Sequence, residues 1–352
     1  MENSAIPTDK PWLFGLTLDE LERIAAENGM PRFAARQIAS WLYRKGADSI
    51  GGMTDLSLKN REKLAGKYEL GTIPFADVQR SADGTKKYLF PTLQGRFIES
   101  AYIPDGDRAT LCVSSQSGCR MGCRFCMTAR QGFAHHLTAG EILNQIRSIP
   151  ESDRLTNVVY MGMGEPLLNL RETTRALEML NHDKGMDFSP RRITVSTCGI
   201  KAGLRELGDS GLAFLAVSLH APNQELRAKI MPKAANWHLD DLMATLENYP
   251  LKTREHITFE YLLLGGVNDQ PEHARELAKL VSRVKGKLNL IAYNPSETQL
   301  YKAPTEADIL AFEKILWSKG ITAILRKSKG QDIKAACGQL KSEWERGKGG
   351  GE

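Results

Sequence analysis

The sequence contains no run of about 18 consecutive apolar residues, the shortest stretch expected of a membrane-spanning helix. Its first ten residues, Met1 to Lys10, lack the basic start and apolar centre of a secretory signal. Hydrophobic residues make up 41% and charged residues 25% of the 352 residues, as in ordinary globular proteins. We therefore expect a globular, cytoplasmic protein with no membrane partner.

Cysteine is scarce as well, with six residues in the chain. In a reducing compartment such a set does not indicate a structural disulfide framework. Four of the six lie between Cys112 and Cys126, and this crowding is typical of a metal site. The formal net charge of +5 is compatible with a polyanionic partner but does not by itself identify one.

Residues 1–70 are expected to form a small helical domain. Thr17-Leu-Asp-Glu20 has the form of a capping box that opens an amphipathic helix ending at Gly29. Further helices are predicted over residues 33–44 and 57–68. They carry basic side chains that form either a solvated surface or a face contacting phosphates, namely Arg32, Arg36, Arg44, Lys45, Lys59, Arg61, Lys63 and Lys67.

Residues 71–105 are expected to form a short β segment that links this domain to the rest of the chain. The turn signal Ala82-Asp-Gly84 lies between strands predicted over 78–80 and 87–90, so a hairpin is expected. A further strand is predicted over residues 96–103, and it contains Glu99.

From residue 106 to residue 345, short apolar runs alternate with helical patterns. Helices are predicted over 139–149, 271–284 and 305–318, and the first is opened by the capping box Thr138-Ala-Gly-Glu141. This alternation predicts an α/β fold with a parallel sheet, open or closed into a barrel, whose chemistry lies at the carboxyl ends of the strands. Residues 346–352 are expected to be a flexible tail. Strands are predicted over 111–115, 158–161, 193–197, 214–219, 259–264, 288–292 and 323–325.

The segment Cys119-Arg-Met-Gly-Cys123-Arg-Phe-Cys126 follows the first of these strands. Thiolates are the protein ligands of iron–sulfur clusters, and three closely spaced cysteines can bind three irons of one [4Fe-4S] cube. The fourth iron then stays open for a cofactor. A zinc knuckle with Cys112 or His135 as fourth ligand is the main alternative, although zinc sites usually pair two short cysteine hairpins. A redox Cys-x-x-Cys pair does not account for Cys119.

The same motif and the segments around it resemble the RlmN family. Cys-x-x-x-Cys-x-aromatic-Cys is the radical S-adenosylmethionine signature, and family-like segments extend over nearly the whole chain. They are Thr110-Leu-Cys-Val-Ser-Ser-Gln116, Arg130-Gln-Gly-Phe133, Met161-Gly-Met-Gly-Glu-Pro-Leu-Leu-Asn169, Ser218-Leu-His-Ala-Pro-Asn223, Gly265-Gly-Val-Asn-Asp269 and Asp332-Ile-Lys-Ala-Ala-Cys-Gly-Gln-Leu340. The resemblance implies an RNA adenine C2-methyltransferase, with RNA-binding N-terminal helices and a partial (β/α) barrel of the radical S-adenosylmethionine type.

By this resemblance, Cys119, Cys123 and Cys126 hold the [4Fe-4S] cluster, and S-adenosylmethionine binds beside it. From the residues alone, Gly162-Met-Gly164 is also a plain strand-end turn and His220 a core histidine. Cys198 stands where the family commonly has serine, and we expect it to be structural. The residues implied to bind S-adenosylmethionine are Phe125 against the adenine, Gly164 and Glu165 at the amino group, Ser196, Ser218, Leu219 and His220 around the ribose and carboxylate, and Asn294.

The resemblance also implies that two S-adenosylmethionine molecules are used per turnover. One methylates Cys337, and the second yields a 5′-deoxyadenosyl radical that takes hydrogen from the new methyl group. The resulting methylene radical adds to adenine C2. Glu99 accepts the proton from C2, and Cys112 resolves the adduct through a transient disulfide with Cys337. Without the resemblance, Cys112 is better interpreted as a buried strand cysteine.

The implied substrates are an adenine in the peptidyl transferase centre of 23S rRNA and, in tRNA, the adenosine 3′ of the anticodon. The implied enzyme is a monomer that takes electrons from a donor such as flavodoxin or ferredoxin. Two alternatives stay open, an adenine C8-methyltransferase like the related Cfr family and a zinc-stabilised RNA-binding module without catalysis. Pro166 and Arg326-Lys-Ser-Lys-Gly330 favour RlmN over Cfr.

Overall fold

A computed structural model of the chain describes residues 10–295 and 300–341. Its centre is a ten-stranded sheet, and β5 and β6 form a separate hairpin. The tail expected over 346–352 lies outside the described residues. The strands are β1 (Asp77–Arg80), β2 (Lys86–Pro91), β3 (Phe97–Asp105), β4 (Arg108–Cys112), β5 (Gln116–Gly118), β6 (Phe133–His136), β7 (Asn157–Tyr160), β8 (Ile193–Thr197), β9 (Phe214–Ser218), β10 (Ile257–Leu263), β11 (Gly286–Ala292) and β12 (Ala323–Arg326).

The helices surround this sheet, and three of them form the N-terminal part. In the described ranges, none is long and apolar enough to cross a membrane. The α-helices there are α1 (Leu18–Glu27), α2 (Phe33–Ser40), α3 (Leu58–Lys67), α4 (Met127–Gln131), α5 (Ala139–Arg147), α6 (Leu170–Asn181), α7 (Lys201–Ser210), α8 (Gln224–Ile230), α9 (Leu239–Glu247), α10 (Pro271–Val281) and α11 (Glu306–Ser318).

The N-terminal helices begin largely where the sequence predicts. The capping box at α1 is confirmed, because the Thr17 amide donates to the Glu20 carboxylate at 2.8 Å and the Thr17 hydroxyl accepts from the Glu20 amide. The helix predicted over 33–44 is α-helical only to Ser40. A wider π turn follows over Trp41–Lys45, and it ends at Gly46, whose φ of 75° stops the helix.

The sheet is antiparallel at its start and parallel afterwards. Strands β1 to β4 follow one another as an antiparallel meander, whereas β4 and β7 to β12 run parallel. Parallel neighbours need long crossovers, and helices of the chain provide them. The strand order of the sheet runs from β1 to β12, and among the described strands these two edge strands do not pair, so the sheet does not close into a full barrel. The predicted α/β class, parallel sheet and partial barrel are therefore confirmed.

Two local features differ between prediction and structure. The strand predicted over 111–115 is β4, which begins earlier, at Arg108, and ends earlier, at Cys112. It ends there because the Ser114 amide bonds to the Gln145 side chain at 2.8 Å. The short hairpin of β5 and β6 was not predicted, since β5 has only three residues. The hairpin predicted at Ala82-Asp-Gly84 is confirmed by the antiparallel pairing of β1 with β2.

Residues 327–341, here called the C-terminal segment, return from the last strand to the first hairpin. The Gly330 amide donates to Asp83 at 2.9 Å. Asp332 accepts from the Ser81 hydroxyl at 2.6 Å and from the Ala82 amide at 3.2 Å. Because β12 and the β1–β2 hairpin stand at opposite edges of the sheet, the segment spans the open side of the partial barrel.

The N-terminal helices dock on the barrel through a close contact between two backbones. Gly15 has a φ of 98°, and a Cβ placed on it would lie 2.5 Å from the Cα of Gly140, the second residue of α5. The Tyr43 hydroxyl fixes the same turn, accepting from the Gly15 amide at 2.9 Å and donating to the Leu16 carbonyl at 2.7 Å. Only glycine therefore fits at position 15.

Gly15→Ala is expected to lower the free energy of unfolding by about 2–5 kcal/mol, because it adds overpacking against α5 to left-handed backbone strain. Gly29→Ala is the matched control. Gly29 also has a positive φ, 66°, but no atom lies within 4 Å of an added Cβ, so a loss of about 1–2 kcal/mol is expected. Urea unfolding of the two variants tests this, and equal losses would contradict the backbone contact.

Candidate active site

One face of the central sheet, here called the inner face, carries a band of polar side chains. Registered neighbours in a sheet point to the same face, as do residues two apart along a strand. Parallel strands covered on both faces are usually apolar, so a polar band indicates a site. The strand register places these side chains on the inner face: Cys112, Ser196, Ser218, Glu260 and Asn289.

The three motif cysteines lie on one loop between β5 and α4. The Cys119 amide donates to the Gly132 carbonyl at 2.8 Å, and the Cys126 amide donates to the Cys123 carbonyl at 3.1 Å. Burial raises the pKa of the Cys119 thiol to about 12; the Met121 amide partly opposes this, and the Cys126 and Cys123 thiols add to it. The three thiols therefore lie close enough to influence one another.

No three His, Cys, Asp or Glu side chains converge on the position of a single ion within residues 10–295 and 300–341. A four-iron cluster does not need such convergence, because each thiolate binds a separate iron.

Gly164 and Glu165 lie beside this loop, after β7. Gly164 has a φ of 103°, and a Cβ there would be 2.6 Å from the Cβ of Gln116. The buried Glu165 carboxylate accepts from the Leu167 amide at 3.0 Å and from the Cys198 amide at 2.8 Å. Burial raises its pKa, and these hydrogen bonds only partly oppose the shift.

Ser196, Ser218 and His220 follow at the ends of the next strands. The hydroxyls of Ser196 and Ser218 are 3.3 Å apart. Nδ1 of His220 accepts from the Leu262 amide at 3.0 Å, and its ring meets the Phe125 ring edge-on with centroids 5.1 Å apart. Burial, with a smaller contribution from a nearby arginine, lowers the pKa of His220 to about 3, so the ring is neutral. His220 also has a strained φ of 54°, which is uncommon for a non-glycine residue.

The other two predicted cofactor residues occupy different environments. Leu219 is fully buried, and its amide donates to the Glu260 carbonyl at 3.0 Å. Asn294 is half-buried after β11 and donates to the Ser328 hydroxyl at 2.8 Å. Asn294 thereby joins the carboxyl end of the sheet to the C-terminal segment.

Cys198, expected to be structural, lies next to the cysteine loop. The neighbouring Cys123 thiol raises the pKa of Cys198 well above the usual range, and burial adds to the shift. Its backbone amide donates to Glu165, so Cys198 links the cysteine loop to the buried carboxylate.

Cys112 and Cys337 are brought together by the C-terminal segment. Cys112 ends β4 and packs against Ala335, two residues before Cys337. Burial raises the pKa of the Cys112 thiol, and the neighbouring Cys337 raises it further. Cys337 is exposed, yet the protein around its thiol desolvates it enough to raise its pKa to about 11. Both thiols are free, and their charges interact.

Glu99 lies in β3, buried beside the same segment. Its Oε1 is 3.1 Å from Nζ of Lys87, and both side chains are at most 5% exposed. Its Oε2 accepts from the Lys341 amide at 2.7 Å. Ala101 registers with Lys87 on one side and with Cys112 on the other, and it lies two residues after Glu99 on β3. Residues two apart on a strand point to the same face, so Glu99 and Cys112 face the same side of the sheet.

Three charged residues at the site were missed by the sequence analysis, namely Lys87, Glu260 and Arg227. Glu260 accepts from Asn289 at 2.8 Å, and burial raises its pKa to about 7. A signal was available for Lys87 and Glu260, because a charge within a strand of buried residues needs a partner. Arg227 gave no such signal, since a lone arginine on a short helix is usually exposed.

The chain matches two protein-family models. Residues 113–278 match the Radical SAM superfamily, and residues 12–70 match the ribosomal RNA large subunit methyltransferase N-terminal domain. The first match covers the cysteine loop and the strands up to α10, and the second covers α1 to α3.

The chain is also similar to curated proteins along nearly its whole length. It is 59% identical over 350 residues to the dual-specificity RNA methyltransferase RlmN of Nitratidesulfovibrio vulgaris, covering 95% of this chain and 96% of that protein. It is 54% identical to the protein of that name in Lawsonia intracellularis, with coverages of 94% and 97%. A radical SAM methyltransferase structure from Sphaerobacter thermophilus superposes with a TM-score of 0.89 at 41% identity, covering 95% of this chain and 100% of that one.

Lys87→Met is expected to reduce the free energy of unfolding by about 3–5 kcal/mol, because it removes one partner of the buried Lys87–Glu99 ion pair. Combining it with Glu99→Gln is expected to restore most of that loss. The neighbouring Lys86 is the matched control. It pairs with Glu151 with its side chain 30% exposed, so Lys86→Met is expected to cost about 1 kcal/mol or less. Urea unfolding measures the three variants against the wild type, and no recovery in the double variant would contradict a paired burial.

Proposed function

Because the chain belongs to the RlmN family, we propose that it transfers a methyl group from S-adenosylmethionine to C2 of adenine in RNA. The observation that carries the proposal is the meeting of three elements at the inner face. Cys112 packs against the segment bearing Cys337, and Glu99 accepts from the Lys341 amide of that segment. Helix α4, which follows the cysteine loop, donates to the segment from the Met127 amide and from the Thr128 hydroxyl, each at 2.7 Å. A carrier thiol, a second thiol and a buried carboxylate are thus within reach of one reaction centre.

Cys119, Cys123 and Cys126 hold the [4Fe-4S] cluster in this proposal. Their side chains are thiols on one loop, they interact electrostatically, and thiolates are the ligands such clusters use. When bound, the cluster and S-adenosylmethionine supply a one-electron cleavage that yields a 5′-deoxyadenosyl radical. A low-potential donor such as flavodoxin or ferredoxin supplies the electron.

S-adenosylmethionine binds along the carboxyl ends of β7 to β11. Gly164 lets the backbone approach the cofactor, and Glu165 pairs with its ammonium group. Ser196 and Ser218, whose hydroxyls are adjacent, contact its ribose and carboxylate together with Leu219 and His220. Phe125 packs against the adenine, and Asn294 contacts the cofactor from the loop after β11. The neutral His220 ring takes part as a hydrogen-bonding group without charge.

Cys337 carries the methyl group. Cys112 later attacks the sulfur of Cys337 and so releases the methylated RNA. Burial raises the pKa of both thiols, so each must give up its proton when its sulfur acts as a nucleophile. Their proximity makes resolution an intramolecular attack of the Cys112 sulfur on the Cys337 sulfur. The bond from Cys337 to the methylene group on the RNA breaks, its electron pair stays with the RNA, which takes up a proton, and a reductant then converts the new disulfide back to two thiols. Two S-adenosylmethionine molecules are consumed per turnover, one as methyl donor and one as radical source.

Glu99 accepts the proton that adenine C2 loses. Its ion pair with Lys87 and its hydrogen bond from Lys341 favour the ionised carboxylate, which is the form that accepts a proton. The Lys341 amide stands four residues from Cys337, so the base lies close to the methyl carrier.

We propose 23S rRNA and tRNA as the two RNAs. The relatives' name, dual-specificity RNA methyltransferase, supports more than one RNA substrate, and residues 12–70 match the ribosomal RNA large subunit methyltransferase N-terminal domain. Residues 1–70 form the RNA-binding domain, residues 71–105 a β linker and residues 106–345 the catalytic domain of a monomeric, cytoplasmic enzyme. Within α1 to α3 several cations already have protein partners, since Lys63 and Lys67 bond to Asn28. Arg36 and Lys59 are exposed candidates for phosphate contacts.

Anaerobically reconstituted protein is expected to bind about four irons with matching sulfide, and Cys119→Ala to lose the cluster. Cys198→Ser is the matched control, because Cys198 lies beside Cys123 but is not a ligand in this proposal, so its iron content is expected to match the wild type. Iron and sulfide analysis measures both. One equivalent of zinc without sulfide would show instead the zinc-stabilised module.

Nucleoside mass spectrometry of RNA from a deletion strain tests the methyl transfer. We expect 2-methyladenosine to be absent, to return with the wild-type gene, and to stay absent with Cys337→Ala. Cys112→Ala is expected to accumulate RNA covalently attached at Cys337, because the adduct forms but is not resolved.

The readouts separate the competing functions. The appearance of 8-methyladenosine with the wild-type gene would identify a C8-methyltransferase. Normal turnover by Cys112→Ala would remove the resolving role of Cys112 without affecting the assignment of the target atom. Separate digestion of ribosomal and transfer RNA shows which of the two is modified.

A further inference from the structure

Arg227 is a fully buried arginine that has no anionic partner among residues 10–295 and 300–341. Its side chain is 0% exposed, and its guanidinium lies in the interior between α8 and the carboxyl ends of β8 and β9. An ionised side chain in such a place costs several kcal/mol unless an opposite charge compensates it. Arginine does not lose its proton in proteins, so a compensating anion is required.

The hydrogen bonds of Arg227 leave that requirement unmet. Its Nη1 donates to the carbonyls of Leu219 at 2.6 Å and Ser218 at 3.3 Å, and its Nη2 donates to the carbonyl of Cys198 at 2.7 Å. These acceptors are neutral. Its Nε is buried with no hydrogen-bond partner. Among the described residues, no carboxylate is paired with Arg227.

The groups whose charge reaches Arg227 are cysteine sulfurs. The guanidinium interacts electrostatically with Cys198 and with Cys123, the second residue of the cysteine motif. The backbone connects the same elements. The Arg124 amide, on the cysteine loop, donates to the Ile230 carbonyl at 2.9 Å, and Ile230 lies three residues after Arg227 in α8. Helix α8 therefore fixes the guanidinium beside the loop.

Resting on the cluster site of the proposed function, we propose that Arg227 is the buried counter-charge of the cluster and makes its reduction easier. Three thiolates and a [4Fe-4S] core together carry net negative charge, and reduction adds one more electron. A fixed positive charge stabilises the reduced form more than the oxidised form. Burial strengthens the effect, because water does not screen the interaction there. The backbone carbonyls orient the guanidinium, so this charge is in place before the electron arrives.

The test is a redox titration of the loaded protein without S-adenosylmethionine, with dithionite as one-electron reductant and the paramagnetic reduced cluster as readout. In Arg227→Gln the ratio of reduced to oxidised cluster at a fixed potential is expected to be about tenfold lower. For one electron this corresponds to a reduction potential lower by about 59 mV. Arg227→Lys keeps the charge and is expected to lie nearer the wild type. Omitting S-adenosylmethionine separates this role from one in binding the carboxylate of that cofactor.

Arg175→Gln is the matched control, because Arg175 is a half-buried arginine already paired with Glu20 and Glu172. It is expected to lower stability and leave the potential unchanged. An unchanged potential in an Arg227→Gln protein with full iron content would overturn the inference.

A crystal structure of the loaded wild-type protein gives a second measurement that does not depend on the folding of any variant. The inference expects Arg227 to face the ligand sulfur of Cys123 with no carboxylate in hydrogen-bond distance, and a carboxylate there would overturn it. Wild-type protein that binds no four-iron cluster would contradict the proposed function itself, and iron analysis before the titration detects that case.

Discussion

The arrangement of the site depends on the hydrogen bonds that draw the C-terminal segment back across the sheet. Cys337 belongs to no helix or strand, so its position follows from these contacts alone. Asp83 and Asp332 hold the start of the segment at the first hairpin. Its end is fixed where the Met127 amide donates to the Gly338 carbonyl at 2.7 Å. Without these hydrogen bonds, Cys337 of the segment would not be held near Cys112 of β4.

Two buried cations, Lys87 and Arg227, lie on different sides of the site. Each needs an anion to compensate its charge. Lys87 neutralises Glu99 within the protein, so this pair is complete in the folded chain. Within the described part of the chain, the hydrogen-bond partners of Arg227 are backbone carbonyls, so we infer that its charge is compensated when the cysteine loop carries negative charge. A fold that tolerates an uncompensated guanidinium pays a stability cost. This cost is consistent with the proposed role of the Arg227 charge, which is to stabilise the reduced cluster.

Much of the fold could be predicted from the sequence, because local signals mark its elements. The capping box at Thr17, the turn at Gly84 and the strand Ile193–Thr197 follow from short-range patterns. The end of β4 did not, because it depends on Gln145, a distant side chain that takes over the Ser114 amide. The proximity of Cys112 and Cys337 came from family resemblance. Spacing could not supply it, since their contact spans more than two hundred residues.

The hydrogen bond between Glu99 and Lys341 has a further consequence for the methyl carrier. A thiol that must meet a methyl donor, an adenine and a second thiol in turn cannot sit on a rigid strand. An irregular segment held by a few hydrogen bonds allows small shifts while keeping the reacting groups near one another. Because Oε2 of Glu99 accepts from the Lys341 amide, the proposed base and the carrier share one of these bonds. Movement of the carrier therefore changes the surroundings of the base, which couples the two groups through a single contact.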